Sequence, residues 1–128
     1  MSYYFQKRVR LDFDQSIERV TEALKKEGFG ILTEIDIRAK MKEKLDVEFH
    51  DYKILGACHP PSAYEALQRE DKIGTMLPCN VIVQAKDNGE TEVAAVDPLA
   101  SMQAVENPAL EEVARGVRER LRKVVESL

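Results

Sequence analysis

Between Tyr3 and Leu11 the apolar residues Phe5, Val9 and Leu11 fall at even spacing, a period of two that predicts a strand with one face toward a core. The period then lengthens. Ile17, Val20 and Leu24 recur at steps of three and four, Asp12 and Asp14 offer N-capping carboxylates, Lys25 and Lys26 sit in the last turn, and Gly28 supplies a stop. This predicts an amphipathic helix followed by a strand over Phe29 to Ile35, with Ile31, Thr33 and Ile35 on one side. Asp36 reads as the N-cap of a short basic helix in which Ile37, Met41 and Leu45 alternate with Arg38, Lys40, Lys42, Glu43 and Lys44.

Val47 to Cys58, with Phe49, Tyr52, Ile54 and Leu55, reads as a strand entering the tight connection Gly56-Ala57-Cys58-His59-Pro60-Pro61. Proline is accepted in the first turn of a helix, so a helix is expected from Pro61 to Glu70, with Ala63, Ala66 and Leu67 inward and Gly74 marking the exit. Leu77 to Lys86 alternates, placing Cys79, Val81, Val83 and Ala85 on one face and Asn80, Gln84 and Lys86 on the other. Asp87-Asn88-Gly89 tolerates the positive φ that hairpin turns need, and Thr91 to Val96 is the returning strand. After Asp97-Pro98, Leu99 to Val105 is expected to form a turn of helix. Asn107-Pro108 then opens a long one-sided helix carrying Leu110, Val113, Val117, Leu121, Val124 and Leu128. With no repeat and no linker, residues 1–128 are expected to form a single α+β domain, mainly an antiparallel sheet with the long C-terminal helix packed across it.

Composition narrows the function classes. The 19 Lys and Arg against 23 Asp and Glu leave a net charge of −4, which disfavours nucleic acid and anionic membranes as partners. Residues 1–10 hold Lys7, Arg8 and Arg10 and no apolar run, and no stretch approaches the roughly 18 apolar residues of a membrane span. A cytoplasmic location is therefore expected. Neither a glycine-rich phosphate loop, a Ser-His-Asp order nor an H-E-x-x-H motif is present, and the acidic pairs Asp12/Asp14 and Glu111/Glu112 lie where helix starts favour negative charge. The basic run Arg38 to Lys44 reads as a solvated helix face.

Chemistry gathers around two cysteines. Cys58 and Cys79 have 20 residues between them, and without an export signal they are expected to be reduced. Cys58 precedes a helix start and neighbours His59, a setting that lowers a thiol pKa if the sulfur lies along the helix axis. The competing reading is two small buried hydrophobes. Cys58, His59 and Cys79 offer three donors for a metal, with His50 as a distant fourth, but their spacing matches no zinc pattern. The amides at the start of the proline-led helix are a weak anion site.

The blocks Gly28-Phe29-Gly30-Ile31-Leu32-Thr33-Glu34-Ile35-Asp36, Ile54-Leu55-Gly56-Ala57-Cys58-His59-Pro60, Leu77-Pro78-Cys79-Asn80-Val81 and Val96-Asp97-Pro98 resemble those of the bacterial and archaeal family called domain of unknown function 302. The family pattern often carries Asn where this chain has His59. The resemblance implies a compact α+β fold akin to the TATA-binding-protein-like arrangement, commonly a homodimer, and no established reaction or cofactor. If the strands ending at Cys58 and beginning at Cys79 are neighbours, Cys58, His59, Cys79 and Asn80 gather at one end of the sheet as candidate ligand-binding or redox residues. Three functions follow as alternatives: a homodimeric ligand-binding or sensor module with a small pocket taking an anionic or soft ligand, a thiol-redox, persulfide or metal-handling protein, and a structural or interaction module.

Overall fold

A computed structural model describes residues 2–128. Five strands, β1 (Tyr4–Val9), β2 (Gly30–Asp36), β3 (Tyr52–Cys58), β4 (Cys79–Ala85) and β5 (Thr91–Val96), form one sheet in the order β1-β5-β4-β3-β2. Every pairing is antiparallel. Two helices, α1 (Phe13–Lys26) and α5 (Glu111–Glu126), cover one face of it, and three shorter ones, α2 (Ile37–Leu45), α3 (Pro60–Arg69) and α4 (Pro98–Ser101), lie in the connections.

The core follows from the two periods. Leu55, Ala57, Cys79, Val81, Val83, Val93 and Ala95 project from the sheet into the apolar stripes of α1 (Val20, Leu24) and α5 (Val117, Leu121, Val124, Val125). Burying one such Leu or Val contributes about 1.5–3 kcal/mol. Asp12 accepts from the Gln15 amide at 2.8 Å while the Gln15 side chain accepts from the Asp12 amide at 3.4 Å, a reciprocal cap for α1, and Asp14 merely sits in the first turn. Asn88 and Gly89 take φ of 65° and 72°, turning β4 back into β5 as expected from Asp87-Asn88-Gly89.

Three local expectations are corrected. A register shift between Ile31 and Thr33 flips β2, so Ile31 pairs with Ala57 on the helix-covered side while Thr33 and Ile35 pair with Gly56 and Ile54 on the open side. The predicted strand over Val47 to Cys58 shortens to β3, because β2 pairs only as far as Asp36 with Lys53 and leaves residues 47–51 without a neighbour on that edge. In α3 only Ala66 is buried and Leu67 is 45% exposed, because the helix lies at the rim of the core and buries a narrow stripe. Beyond α3, Ile73 anchors a single 3-10 turn (Ile73–Met76) by packing with Ala66 and Leu110 in a second small core.

No helix of the described residues is long and apolar enough to cross a membrane.

Candidate functional site

The end of β3 and the start of β4 are adjacent, with Ala57 opposite Cys79 and Gly56 opposite Asn80. Strict alternation sends Cys58 away from the face that carries Ala57 and Cys79. Cys58 is the last residue of its strand, however, and where the chain turns into α3 both cysteines line one cavity of about 30 Å³, enough for a single water. Ala63 and Ala66 of α3, Val117 of α5 and Met102 contribute to its apolar wall.

His59 is fixed on three sides. Its Nδ1 lies 2.7 Å from Ser62 Oγ, its ring meets the Phe29 ring edge-on at 5.7 Å, and a Cβ added to Gly28 would stand 3.0 Å from its Cδ2. Gly28 therefore serves twice: it adopts φ of 85° at the end of α1 and leaves room for the imidazole. Gly56 is equally constrained, since a Cβ there would collide with the Thr33 hydroxyl and approach Pro78 Cγ to 2.7 Å.

Electrostatics decides the protonation of this group. Burial pushes the Cys79 thiol up to about 11, with the neighbouring Cys58 adding to the shift, and burial also raises Cys58. Burial lowers His59, and the Arg120 guanidinium lowers it further. Arg120 is held nearby by donating to Glu27 O at 3.1 Å. At neutral pH both thiols keep their protons and the imidazole is uncharged. The lowered Cys58 pKa expected from a helix start is overturned: Pro60 and Pro61 have no amide protons, His59 makes no side-chain cap, and desolvation prevails.

The predicted cluster is split by the pleat. Cys58, His59 and Cys79 share the cavity, whereas Asn80 is exposed on the opposite, open face, where it lines a groove of about 430 Å³ with Tyr4, Tyr52 and Ile82. His50 lies near the far end of β4, its Nε2 2.9 Å from Gln84 Oε1. Both cysteines are free thiols, and among the described residues no three His, Cys, Asp or Glu side chains gather to hold a metal ion.

Ser62 and Met102 line the cavity and Arg120 acts on His59 from α5, and none of them is visible in the sequence, because a lone serine, methionine or arginine carries no spacing signal. Asp97 is a further omission, with a structural role. It is 8% exposed, caps α4 by accepting from Leu99 N at 3.0 Å, and pairs with Arg118 Nε at 3.1 Å, the guanidinium lying 5.3 Å from the centre of the Phe5 ring.

An uncharacterised conserved protein of the same family from Bacillus stearothermophilus has a similar crystal structure, with a TM-score of 0.90 and 30% identity over 98% of each chain. No curated protein matches the chain. The family model described as domain of unknown function DUF302 matches residues 5–128, so the chain belongs to the DUF302 family.

Proposed function

We propose that this protein is a small-molecule-binding or sensor module whose site centres on Cys58, His59 and Cys79, and that the part of its ligand seated among them is apolar or soft and carries no negative charge. One observation carries the reading: the polarizable or hydrogen-bonding side chains of Cys58, His59, Cys79 and Ser62 meet in a cavity whose remaining walls are apolar. An anionic ligand, allowed by the sequence alone, is disfavoured because the imidazole and both thiols are uncharged at neutral pH. The same protonation weighs against a redox cycle, since the thiolate is the reacting form. Free thiols support a reducing, cytoplasmic compartment.

A homodimer is part of the proposal. The open sheet face carries Ile35, Ile54, Ile82 and Ala94 in one row across four strands, which suits packing against a second copy. Sedimentation velocity tests it: Ile82→Lys shifts the wild-type dimer to monomer, and a wild-type monomer at all concentrations refutes it.

The ligand is tested by mass spectrometry of small molecules released from natively purified protein. The expected result is a species without negative charge that is lost in Cys79→Phe, a replacement that fills the cavity. Nothing retained by wild type, or an anion retained equally by both proteins, refutes the reading.

A further inference from the structure

The cavity beside Cys79 is bounded by Met102, and Met102 also lines a second and larger depression. This outer groove, about 600 Å³, runs between the chain after α4 and the first turns of α5, and Ala114 is the other residue common to both spaces. The inner space holds a water and no more, whereas small-molecule sites span roughly 300–1,000 Å³. A ligand of that size fits only if the two spaces join.

Met102 is suited to joining them. Its backbone is held, the amide donating to Pro98 O at 3.0 Å and the carbonyl accepting from Val105 N at 3.0 Å. Its side chain is half-buried, carries no polar anchor and turns about three bonds, so moving it exchanges one apolar contact for another without breaking a hydrogen bond. The two ends differ in chemistry. Around Cys79 the walls are Ala57, Ala63 and Val117, whereas the groove presents Glu106 and Glu111. Arg115 pairs with Glu111 at 2.7 Å, and Glu106 makes no ion pair among the described residues, so the outer end keeps an excess negative charge.

We infer that Met102 is a movable partition, and that cavity and groove together form one site for an amphipathic ligand with its short apolar end at Cys79 and a cationic or hydrogen-bond-donating end at Glu106. The inference rests on the ligand-binding reading above and adds the size, polarity and entry route of the ligand.

Modification of Cys79 by methyl methanethiosulfonate, a small neutral thiol reagent, tests both parts, with peptide mass spectrometry separating Cys79 from Cys58. Met102→Ala is expected to accelerate the reaction by about tenfold or more, while Met102→Leu, which conserves volume, stays near the wild-type rate. In the wild-type protein a local swing of Met102 leaves the rate flat at low urea. A rate that climbs with urea in step with global unfolding overturns the partition even if Met102→Ala fails to fold. Hexylamine and hexanol are expected to protect Cys79 better than hexanoate, and Glu106→Gln to erase the preference for the amine.

The two readings fail separately. Protection by hexylamine with an unchanged rate in Met102→Ala overturns the partition and leaves ligand binding standing. Acceleration in Met102→Ala with no protection by any of the three probes overturns the ligand class and the binding reading while the partition stands. Equal protection by hexylamine and hexanoate overturns the cationic end.

Discussion

Helices α5 and α2 both carry apolar residues at helical spacing, steps of three and four in α5 and of four in α2, yet they end in opposite circumstances. In α5 the residues Ala114, Val117, Leu121, Val124 and Val125 are buried against α1 and the sheet, while in α2 nothing is buried and Leu45 is 66% exposed. The difference is the presence of a second layer. α5 packs over β5 and β1 and against α1, whereas α2 sits in the β2–β3 connection at the edge of the sheet, beside β3. The charges of α2 balance locally instead, Arg38 with Asp51 at 3.1 Å, Lys40 with Glu43 at 3.2 Å and Lys42 with Asp46 at 2.7 Å, so its basic run presents no net basic patch. An apolar stripe states which side of a helix would be buried, and the sheet's extent settles whether anything is there to bury it.

This contrast is open to measurement. Leu121→Ala in the packed region is expected to cost about 2–5 kcal/mol in urea unfolding, because it leaves a cavity under a layer that cannot collapse. A cost below that range would mean the α5 layer is loosely packed and the comparison with α2 is overstated.

The same layer sets a pH dependence at Cys79. The folded thiol, at about 11, lies above its ordinary value of 9.0, so its contribution is complete below pH 9 and is lost as pH rises toward 11. The loss is about 2–3 kcal/mol, from about 1.4 kcal/mol per pKa unit. Unfolding curves of wild type and Cys79→Val at pH 7 and pH 10.5 should diverge by about 2 kcal/mol, the part of the loss reached below pH 11, and parallel behaviour would place the thiol in contact with water.

Next is the close approach of β3 to Thr33 of β2 and to Pro78 beside the site. Gly56→Ala is expected to cost about 1–3 kcal/mol through contact with Thr33 and Pro78. Adding Thr33→Ala should recover part of the loss, and strict additivity in the double-mutant cycle would remove Thr33 from the explanation. The smallest effect belongs to α2, where Leu45→Ala is expected to change stability by no more than about 0.5 kcal/mol. A larger loss in dilute monomer would show that α2 has a partner surface within the chain.

Much of the fold was legible along the chain. The capped helix α1, the β4–β5 hairpin at Asp87-Asn88-Gly89 and the stripe of α5 each rest on local rules, namely side-chain periodicity, capping and the φ preferences of Asn and Gly. At the site, Cys58, His59 and Cys79 could be named because they are rare, reactive residue types close to a proline-led helix start. Asn80 was grouped with them wrongly, because it follows Cys79 directly and the pleat sends neighbours to opposite faces.

Local chemistry thus specified where elements begin, which sides of them are apolar and which residues carry reactive atoms, since capping and periodicity act over a few residues. Three things lay beyond that range: the flip in β2, the bare flank of α2, and the sign of the thiol pKa shift. Each depends on what another part of the chain brings close. Gly56 admits Thr33 across the pleat, no layer meets α2, and α3 and α5 exclude the water that would have stabilised a thiolate.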